Sequence, residues 1–169
     1  WRVRWGVTPA GTSKTERTAD GMIATVTHAW DLKIGVGSTL YMTTTLDAPN
    51  WRMLKVDLTA PEMENWTEII PESDDALQTF TVAGDHLLVQ YLEDARSVVK
   101  VYGTDGEYLR DVPLPEVCSV YDWTSDWRYP DVLIGASSYL MPPTVYHYDT
   151  ETADLGIIKA VEAPIDTEP

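Results

Sequence analysis

The sequence predicts an all-β protein whose short antiparallel strands form propeller blades. Three similar strand-like stretches recur about 45 residues apart, and each follows a hydrophobic strand and a turn. These stretches are Leu54–Asp57, Val99–Tyr102 and Val145–Tyr148. Short strands repeated at this period are typical of β-propeller blades. No segment keeps apolar residues at helical spacing for two turns, so the sequence predicts no helix.

Turn signals divide the chain into about three blades of four antiparallel strands each. Asp105-Gly106 is a strong two-residue hairpin signal. Pro142-Pro143 marks a turn because proline cannot donate a ladder hydrogen bond. The predicted blades cover residues 22–71, 76–113 and 117–159, and residues 1–21 are a remnant of a preceding blade or a loop.

The first strand of each blade is expected at the centre of the propeller. These inner strands are predicted at Met22–Ala29, Leu77–Val82 and Val117–Trp123. Complete propellers have roughly four to eight blades, so three blades make an incomplete ring. Residues 1–159 therefore predict a partial propeller, and residues 160–169, rich in proline and acidic side chains, predict a linker.

The charge balance narrows the choice of partners. The 169 residues carry 27 acidic and 12 basic side chains, which gives a formal net charge of −15. Nucleic acid is excluded as a partner because phosphate binding needs a basic surface, and anionic membranes are disfavoured. The acidic side chains form a solvated surface or, as the alternative, attract cationic substrates.

The ends and the cysteine content bear on the cellular context. We expect the chain to be a fragment of a longer protein, because it begins with Trp1 in what reads as a strand. It shows no signal-peptide pattern and no apolar run long enough to span a membrane. The single cysteine, Cys118, excludes an intrachain disulfide and fits a reducing compartment. We expect this thiol to be buried or to line the pore.

No residue pattern in the chain predicts a self-contained active site. Ser137 follows Gly135-Ala136 like the start of a nucleophile elbow, but the second glycine is missing. The three histidines, His28, His86 and His147, lack metal-ligand spacing, and His86 is expected to be exposed at a hairpin turn. The sequence therefore predicts no metal site and no cofactor.

Several segments together resemble the β-propeller domain of the prolyl oligopeptidase family of serine peptidases. They occur in the family's order and cover roughly residues 36–150. The segments are Leu40–Arg52, Leu54–Leu58, Glu64–Glu72, Tyr91–Ser97, Val99–Tyr102, Asp105-Gly106, Leu114-Pro115 and Ser137–Asp149. The chain departs from the family at Ser138-Tyr139, where Ser-Phe is usual, and in the Trp-rich stretch Cys118–Tyr129.

The resemblance implies a seven-bladed propeller joined to an α/β-hydrolase domain that carries Ser, Asp and His. Its motifs are absent here, so no catalytic residue can be assigned, and the fragment alone is expected to be inactive and to associate. The implied partners are the missing blades, the hydrolase domain and short proline-containing peptides, which the parent enzyme would cleave after proline. The implied location is the cytoplasm, with the periplasm as the alternative.

In the family, the propeller covers the active site and admits only short peptides. Four side chains on the predicted inner strands are expected to line its channel: Thr79, Thr81, Ser119 and Tyr121. Two alternatives stay open. The chain could be a free-standing propeller that binds a peptide or glycan through the aromatic loop Ser125–Pro130, or it could belong to an enzyme like oligopeptidase B.

Overall fold

Three four-stranded sheets dominate the computed structural model, which describes residues 2–4, 13–17, 23–27, 29–35 and 37–161. Each sheet is an antiparallel meander whose strands pair in chain order. Within the described ranges, the one helical turn is a 3-10 helix at Met63–Asn65. No helix of this part of the chain is long and apolar enough to cross a bilayer. The predicted all-β fold of about three four-stranded blades is confirmed.

A smaller sheet comes first in the chain. It contains β1 (Arg2–Arg4), β2 (Ser13–Arg17) and β3 (Ile23–Thr27). The central strand is β3, which pairs parallel with β1 and antiparallel with β2. The prediction that Met22–Ala29 is the inner strand of the first blade is therefore wrong, because β3 belongs to this separate sheet.

The three large sheets follow one another along the chain. The first contains β4 (Ala29–Ile34), β5 (Thr39–Thr44), β6 (Arg52–Asp57) and β7 (Thr67–Ile70). The second contains β8 (Ala76–Ala83), β9 (His86–Glu93), β10 (Arg96–Gly103) and β11 (Tyr108–Asp111). The third contains β12 (Ser119–Ser125), β13 (Asp131–Ser137), β14 (Thr144–Asp149) and β15 (Leu155–Ala160). The predicted inner strands Leu77–Val82 and Val117–Trp123 lie close to the observed β8 and β12.

The inner strand of the first sheet is β4, which the hydrophobic pattern of the sequence did not predict. Its Leu32 is completely buried against Leu40 of β5. Asp31 and Lys33 interrupt the apolar pattern of β4, so the β-branched segment before it looked like the better strand. The structure satisfies both charges locally. Asp31 Oδ1 accepts the Leu32 N–H at 3.0 Å and lies 3.6 Å from Lys33 Nζ.

The strand β9 of the second sheet is buried on both faces, and its side chains alternate between them. On β9, Leu87 and Val89 pack with Tyr41 of the first sheet. Leu88, between them, belongs to a cluster that includes Ile134 of the third sheet. Cys118 is also buried in that cluster, as one of its two predicted settings required. The apolar run in β9 therefore follows from the position of its sheet between two neighbours.

The seam between the first and second sheets has a close contact at Gly106. This residue lies between β10 and β11 with a φ of 91°, in the left-handed region that favours glycine. The connection covers residues 104–107, so the hairpin signal marks a longer turn than the two residues predicted. A Cβ atom on Gly106 would lie 1.9 Å from the carbonyl oxygen of Ile69 on β7. The glycine thus allows the turn between β10 and β11 of the second sheet to contact β7, the outer strand of the first sheet.

The seam between the second and third sheets is bridged by Arg110 of β11. Its Nε donates to the Tyr148 hydroxyl at 3.0 Å, and its guanidinium also donates to the Thr150 carbonyl. His86 is partly buried in the same region, and its Nδ1 has no hydrogen-bond partner among the described residues. The expectation that His86 is exposed is therefore wrong. Burial, with the nearby Arg110 charge as the second cause, lowers the pKa of His86 below its usual value.

Replacing Gly106 with alanine should destabilise the 169-residue chain more than the same change at Gly37. Both glycines have a positive φ, so each alanine costs about 1–2 kcal/mol of backbone strain. Only the Gly106→Ala methyl group meets backbone, since a Cβ on Gly37 has nothing within 4 Å. Overpacking should add about 1–3 kcal/mol at Gly106. Urea unfolding followed by tryptophan fluorescence measures the difference, and equal losses would contradict the close contact.

His86 should make the stability of the chain depend on pH. Its folded-state pKa is lowered, so the neutral form favours folding. Stability is complete above the unfolded pKa of about 6.5 and falls as pH decreases from there towards the folded pKa. The variant His86→Gln should lose this component of the pH slope, whereas His147→Gln, at a half-exposed site, should retain it. Urea unfolding at several pH values tests this, and an unchanged slope in His86→Gln would refute it.

Candidate functional site

The inner strands of the three large sheets share one irregularity. Each has a register shift against its neighbour, between Ala29 and Leu32 in β4, Leu77 and Thr79 in β8, and Val120 and Asp122 in β12. A β-bulge turns side chains away from the regular alternation and bends the strand. The strands are also neighbours in space, since β8 contacts both β4 and β12. Together they form one inner surface, and their bulges decide which side chains it presents.

Two of the predicted site residues join neighbouring inner strands. Thr79 Oγ1 donates to Asp31 Oδ2 at 2.8 Å, which connects β8 to β4. Thr81 Oγ1 lies 2.5 Å from Ser125 Oγ, and Ser125 Oγ donates to the Val82 carbonyl at 2.8 Å. Because the single hydroxyl proton of Ser125 serves Val82, Thr81 is the donor in the first of these bonds. The two threonines therefore hold the second sheet to both of its neighbours.

The other two predicted site residues lie on β12 and are exposed. Ser119 pairs in register with Ser137 of β13. Tyr121 is the extra residue of the bulge, and its side chain is 56% exposed. Its ring lies over Gly135, where a Cβ atom would be 2.7 Å from Tyr121 Cε2. The structure thus separates the four residues. Thr79 and Thr81 form hydrogen bonds across the seams between sheets, whereas Ser119 and Tyr121 are exposed on the third sheet.

Sequence reasoning missed the partners of the two threonines. Asp31 is only 6% exposed and was overlooked because the first inner strand was placed one segment too early. Ser125 was assigned to a loop, whereas it is the last residue of β12. The useful signal for Asp31 is the pair Leu32 and Ile34, which stand opposite Met42 and Leu40 of β5 in an apolar alternation.

A polar cleft lies at the outer part of the first sheet. Its volume is about 410 Å³, and it is lined by Ser38, Thr39, Lys55, Asp57, Thr59, Asn65 and Thr67. Lys55 Nζ donates to the Thr104 carbonyl of the second sheet at 3.3 Å. The hydroxyl and backbone N–H of Thr59 both bind Asp57 and lower the pKa of its carboxyl group. None of the described residues that line the cleft is a histidine, so they supply no imidazole base to its hydroxyl groups.

The aromatic loop between β12 and β13 is occupied by its own arginine. The Arg128 guanidinium carbon lies 6.0 Å from the ring centroid of Trp127 and 5.8 Å from that of Tyr129. Arg128 Nε also donates to Asp126 Oδ1 at 2.9 Å. This pairing lowers the pKa of Asp126 to about 2. A ligand that stacks on these rings would therefore have to displace Arg128.

The described residues contain no complete catalytic constellation. Ser137 ends β13 and forms no hydrogen bond with a histidine among the described residues, where His147 bonds Asp131 instead. His147 Nε2 lies 2.6 Å from Asp131 Oδ1, but neither side chain forms a hydrogen bond with a hydroxyl or thiol group of the described residues. No group of three His, Cys, Asp or Glu side chains in the described ranges could hold a metal ion. His28 lies outside the described residues.

Comparison with known proteins agrees with the sheet architecture. Residues 9–161 match the family model described as the prolyl oligopeptidase N-terminal β-propeller domain. The prolyl endopeptidase of Elizabethkingia meningoseptica is 30% identical over 118 residues, which cover 70% of this chain and 17% of that protein. The Elizabethkingia miricola prolyl endopeptidase is 26% identical over 116 residues, covering 69% and 16%. The chain thus spans about a sixth of the length of these relatives.

Solved structures show the same fold. One comes from a study of two prolyl endopeptidases and the role of inter-domain dynamics in their catalysis and specificity. It matches with a TM-score of 0.76 and 27% identity over 81% of this chain and 20% of that one. Apo prolyl oligopeptidase B from Galerina marginata matches with a TM-score of 0.76 and 20% identity over 96% and 25%. The chain belongs to the prolyl oligopeptidase N-terminal β-propeller domain family.

Proposed function

We propose that this chain is the substrate-gating part of a serine endopeptidase that cleaves short peptides after proline. The observation that carries the proposal is the match of residues 9–161 to the propeller domain, with prolyl endopeptidases as relatives. The proposed parent has a seven-bladed propeller, of which residues 1–159 form part, and residues 160–169 lead to an α/β-hydrolase domain. The buried free thiol of Cys118 fits a cytoplasmic location, which is part of the same proposal.

The contacts between inner strands support a gating role. A propeller that excludes large substrates must keep its blades together, because an opened seam would admit them. Here Asp31, Thr79, Thr81 and Ser125 join three consecutive inner strands through side-chain hydrogen bonds. The exposed residues Ser119 and Tyr121 are then the candidates for the channel surface, and Thr79 and Thr81 hold the wall on which that surface is built.

The alternative of a free-standing peptide- or glycan-binding module has less support. It depends on the rings of the loop Ser125–Pro130 being available to a ligand. Trp127 packs against the core between the first two sheets, and Arg128 lies near the Trp127 and Tyr129 rings. The relatives are prolyl endopeptidases, which favours a parent enzyme that cleaves after proline over an enzyme like oligopeptidase B.

Peptidase activity should depend on the rest of the parent protein. The full-length protein should hydrolyse a short chromogenic peptide at the bond after proline, whereas the 169-residue chain should give no turnover. The reason is that this chain holds no serine paired with an imidazole base in its described part. A fluorophosphonate probe, which labels activated serines, gives a second readout. Labelling of the 169-residue chain, or lack of proline-specific cleavage by the full-length protein, would contradict the proposal.

Added bulk on the predicted channel surface should alter selection by peptide length. In the full-length protein, Ser119→Trp should lower kcat/KM for a proline-containing decapeptide by about tenfold more than for a proline dipeptide derivative, because only the longer substrate fills the channel. Thr152→Trp, at an exposed turn between β14 and β15, is the control and should change the two values equally. Equal effects of Ser119→Trp on both substrates would contradict the proposal that Ser119 lines the channel.

A further inference from the structure

His86 begins β9 on the face of the second sheet that is turned to the third sheet. Leu88, two residues later on the same strand and therefore on the same face, packs in the cluster that contains Ile134 of the third sheet. Val101 of β10 pairs with both Leu88 and Arg110, so Arg110 lies on this face too. The imidazole of His86 and the guanidinium group of Arg110 therefore occupy the same seam.

Arg110 connects one corner of this seam to the third sheet. It donates hydrogen bonds to the Tyr148 hydroxyl and to the Thr150 carbonyl. Both of these partners are completely buried, so the two bonds are shielded from water. The Thr150 N–H in turn donates to the Pro130 carbonyl at 3.0 Å, which joins the connection at residues 126–130 to the same corner. We call the bonds from Arg110 to Tyr148 and Thr150 the corner contact.

Two buried polar atoms at this corner have no hydrogen-bond partner among the described residues. They are His86 Nδ1 on the second sheet and Thr150 Oγ1 in the turn after β14. Native structures leave few buried polar groups unpaired, so such atoms mark a place where the packing of two sheets is imperfect. Neither atom adds a hydrogen bond across the seam, and Arg110 supplies the polar contact at this corner.

The charged groups around His86 come from both sides of the seam. Arg110 faces it from β11, Asp85 from its own turn and Glu151 from the turn after β14. Burial is the main cause of the lowered pKa of His86, the Arg110 charge is the second cause, and the two carboxylates oppose them. Asp105, in the turn after β10, accepts a backbone N–H of that same turn. A proton on His86 would therefore place a second cation beside Arg110 in a poorly hydrated corner.

We propose that the corner contact is a pH-sensitive latch between the second and third sheets. The latch is closed while His86 is neutral, and it opens when a proton on His86 repels Arg110 from the third sheet. Because the folded-state pKa is lowered, the latch is closed above the unfolded pKa of about 6.5 and opens as pH falls from there towards the folded pKa. This inference goes beyond the proposed function, because it involves neither a substrate nor a catalytic domain.

Other hydrogen bonds keep the rest of the seam closed when the latch opens. Thr81 and Ser125 join the inner strands of the two sheets. Elsewhere along the seam, the Ser97 N–H donates to the Cys118 carbonyl at 2.9 Å. None of these groups changes its charge at mildly acidic pH. Opening should therefore expose the ring of Tyr148 at the corner without separating the sheets.

Hydroxyl-radical labelling of the full-length protein tests the latch. Tyr148 reports on the corner, and Tyr91, buried at the seam between the first and second sheets, is the internal reference. Between about pH 7.5 and about pH 5, labelling of Tyr148 should become about fivefold faster while labelling of Tyr91 stays constant. Tyr148 labelling that does not change with pH would overturn the proposal. An equal increase at both tyrosines would also overturn it, because the whole domain would then be unfolding.

Two variants show whether His86 is the group that senses pH. His86→Gln should keep Tyr148 protected at both pH values. The double variant Asp85→Asn with Glu151→Gln removes the two carboxylates that favour the proton, so the midpoint of opening should move about half a unit to lower pH. Acid opening that persists in His86→Gln would refute the latch, as would an unchanged midpoint in the double variant. Labelling of Tyr91 reports whether His86→Gln is folded, and if it is not, the double variant decides.

Discussion

The fold depends on the burial of the second sheet between two neighbours. Leu87 and Val89 fill the seam with the first sheet, and Leu88 fills the seam with the third. A strand with apolar side chains on both faces is stable only if both faces are covered, since each exposed face would return its apolar area to water. The same geometry brings the inner strands close enough for side-chain hydrogen bonds. The polar contacts of β8 are thus a consequence of the two apolar seams.

Local signals in the sequence were enough to predict most of the sheet architecture. Asp105-Gly106 and Pro142-Pro143 determine turns through φ preferences and a missing donor, which act within a few residues. The strand repeat then gave the number of large sheets. The first inner strand was missed because Asp31 and Lys33 break its apolar pattern. These charged side chains are stable in β4 because they pair with each other and because Thr79 donates a hydrogen bond to Asp31. Thr79 lies 48 residues from Asp31 in the chain, so this contact is not visible in the local sequence.

The candidate site was predictable only in part, for a related reason. Thr79 and Thr81 were selected as channel-lining residues of an inner strand, and the structure places both on β8. Their partners could not be predicted from the sequence. Thr81 and Ser125 are 44 residues apart in the chain, and their hydrogen bond depends on the packing of two sheets against each other. Tyr121 owes its exposure to a bulge. Bulges shift the alternation by one residue, and no local composition marked this one.

The two rims of the third sheet differ in the contacts that their loop side chains make. At one rim, Arg128 is neutralised by Asp126 and rests near aromatic rings, so its polar and apolar groups are already partnered. At the other, Tyr139 and Leu140 are exposed on a turn whose backbone is held by two hydrogen bonds to Ser138 Oγ. The Ser138 hydrogen bonds order the backbone of this turn but do not bury the rings and methyl groups that it carries. The two rims therefore differ in how far neighbouring side chains of the same loop cover their apolar groups.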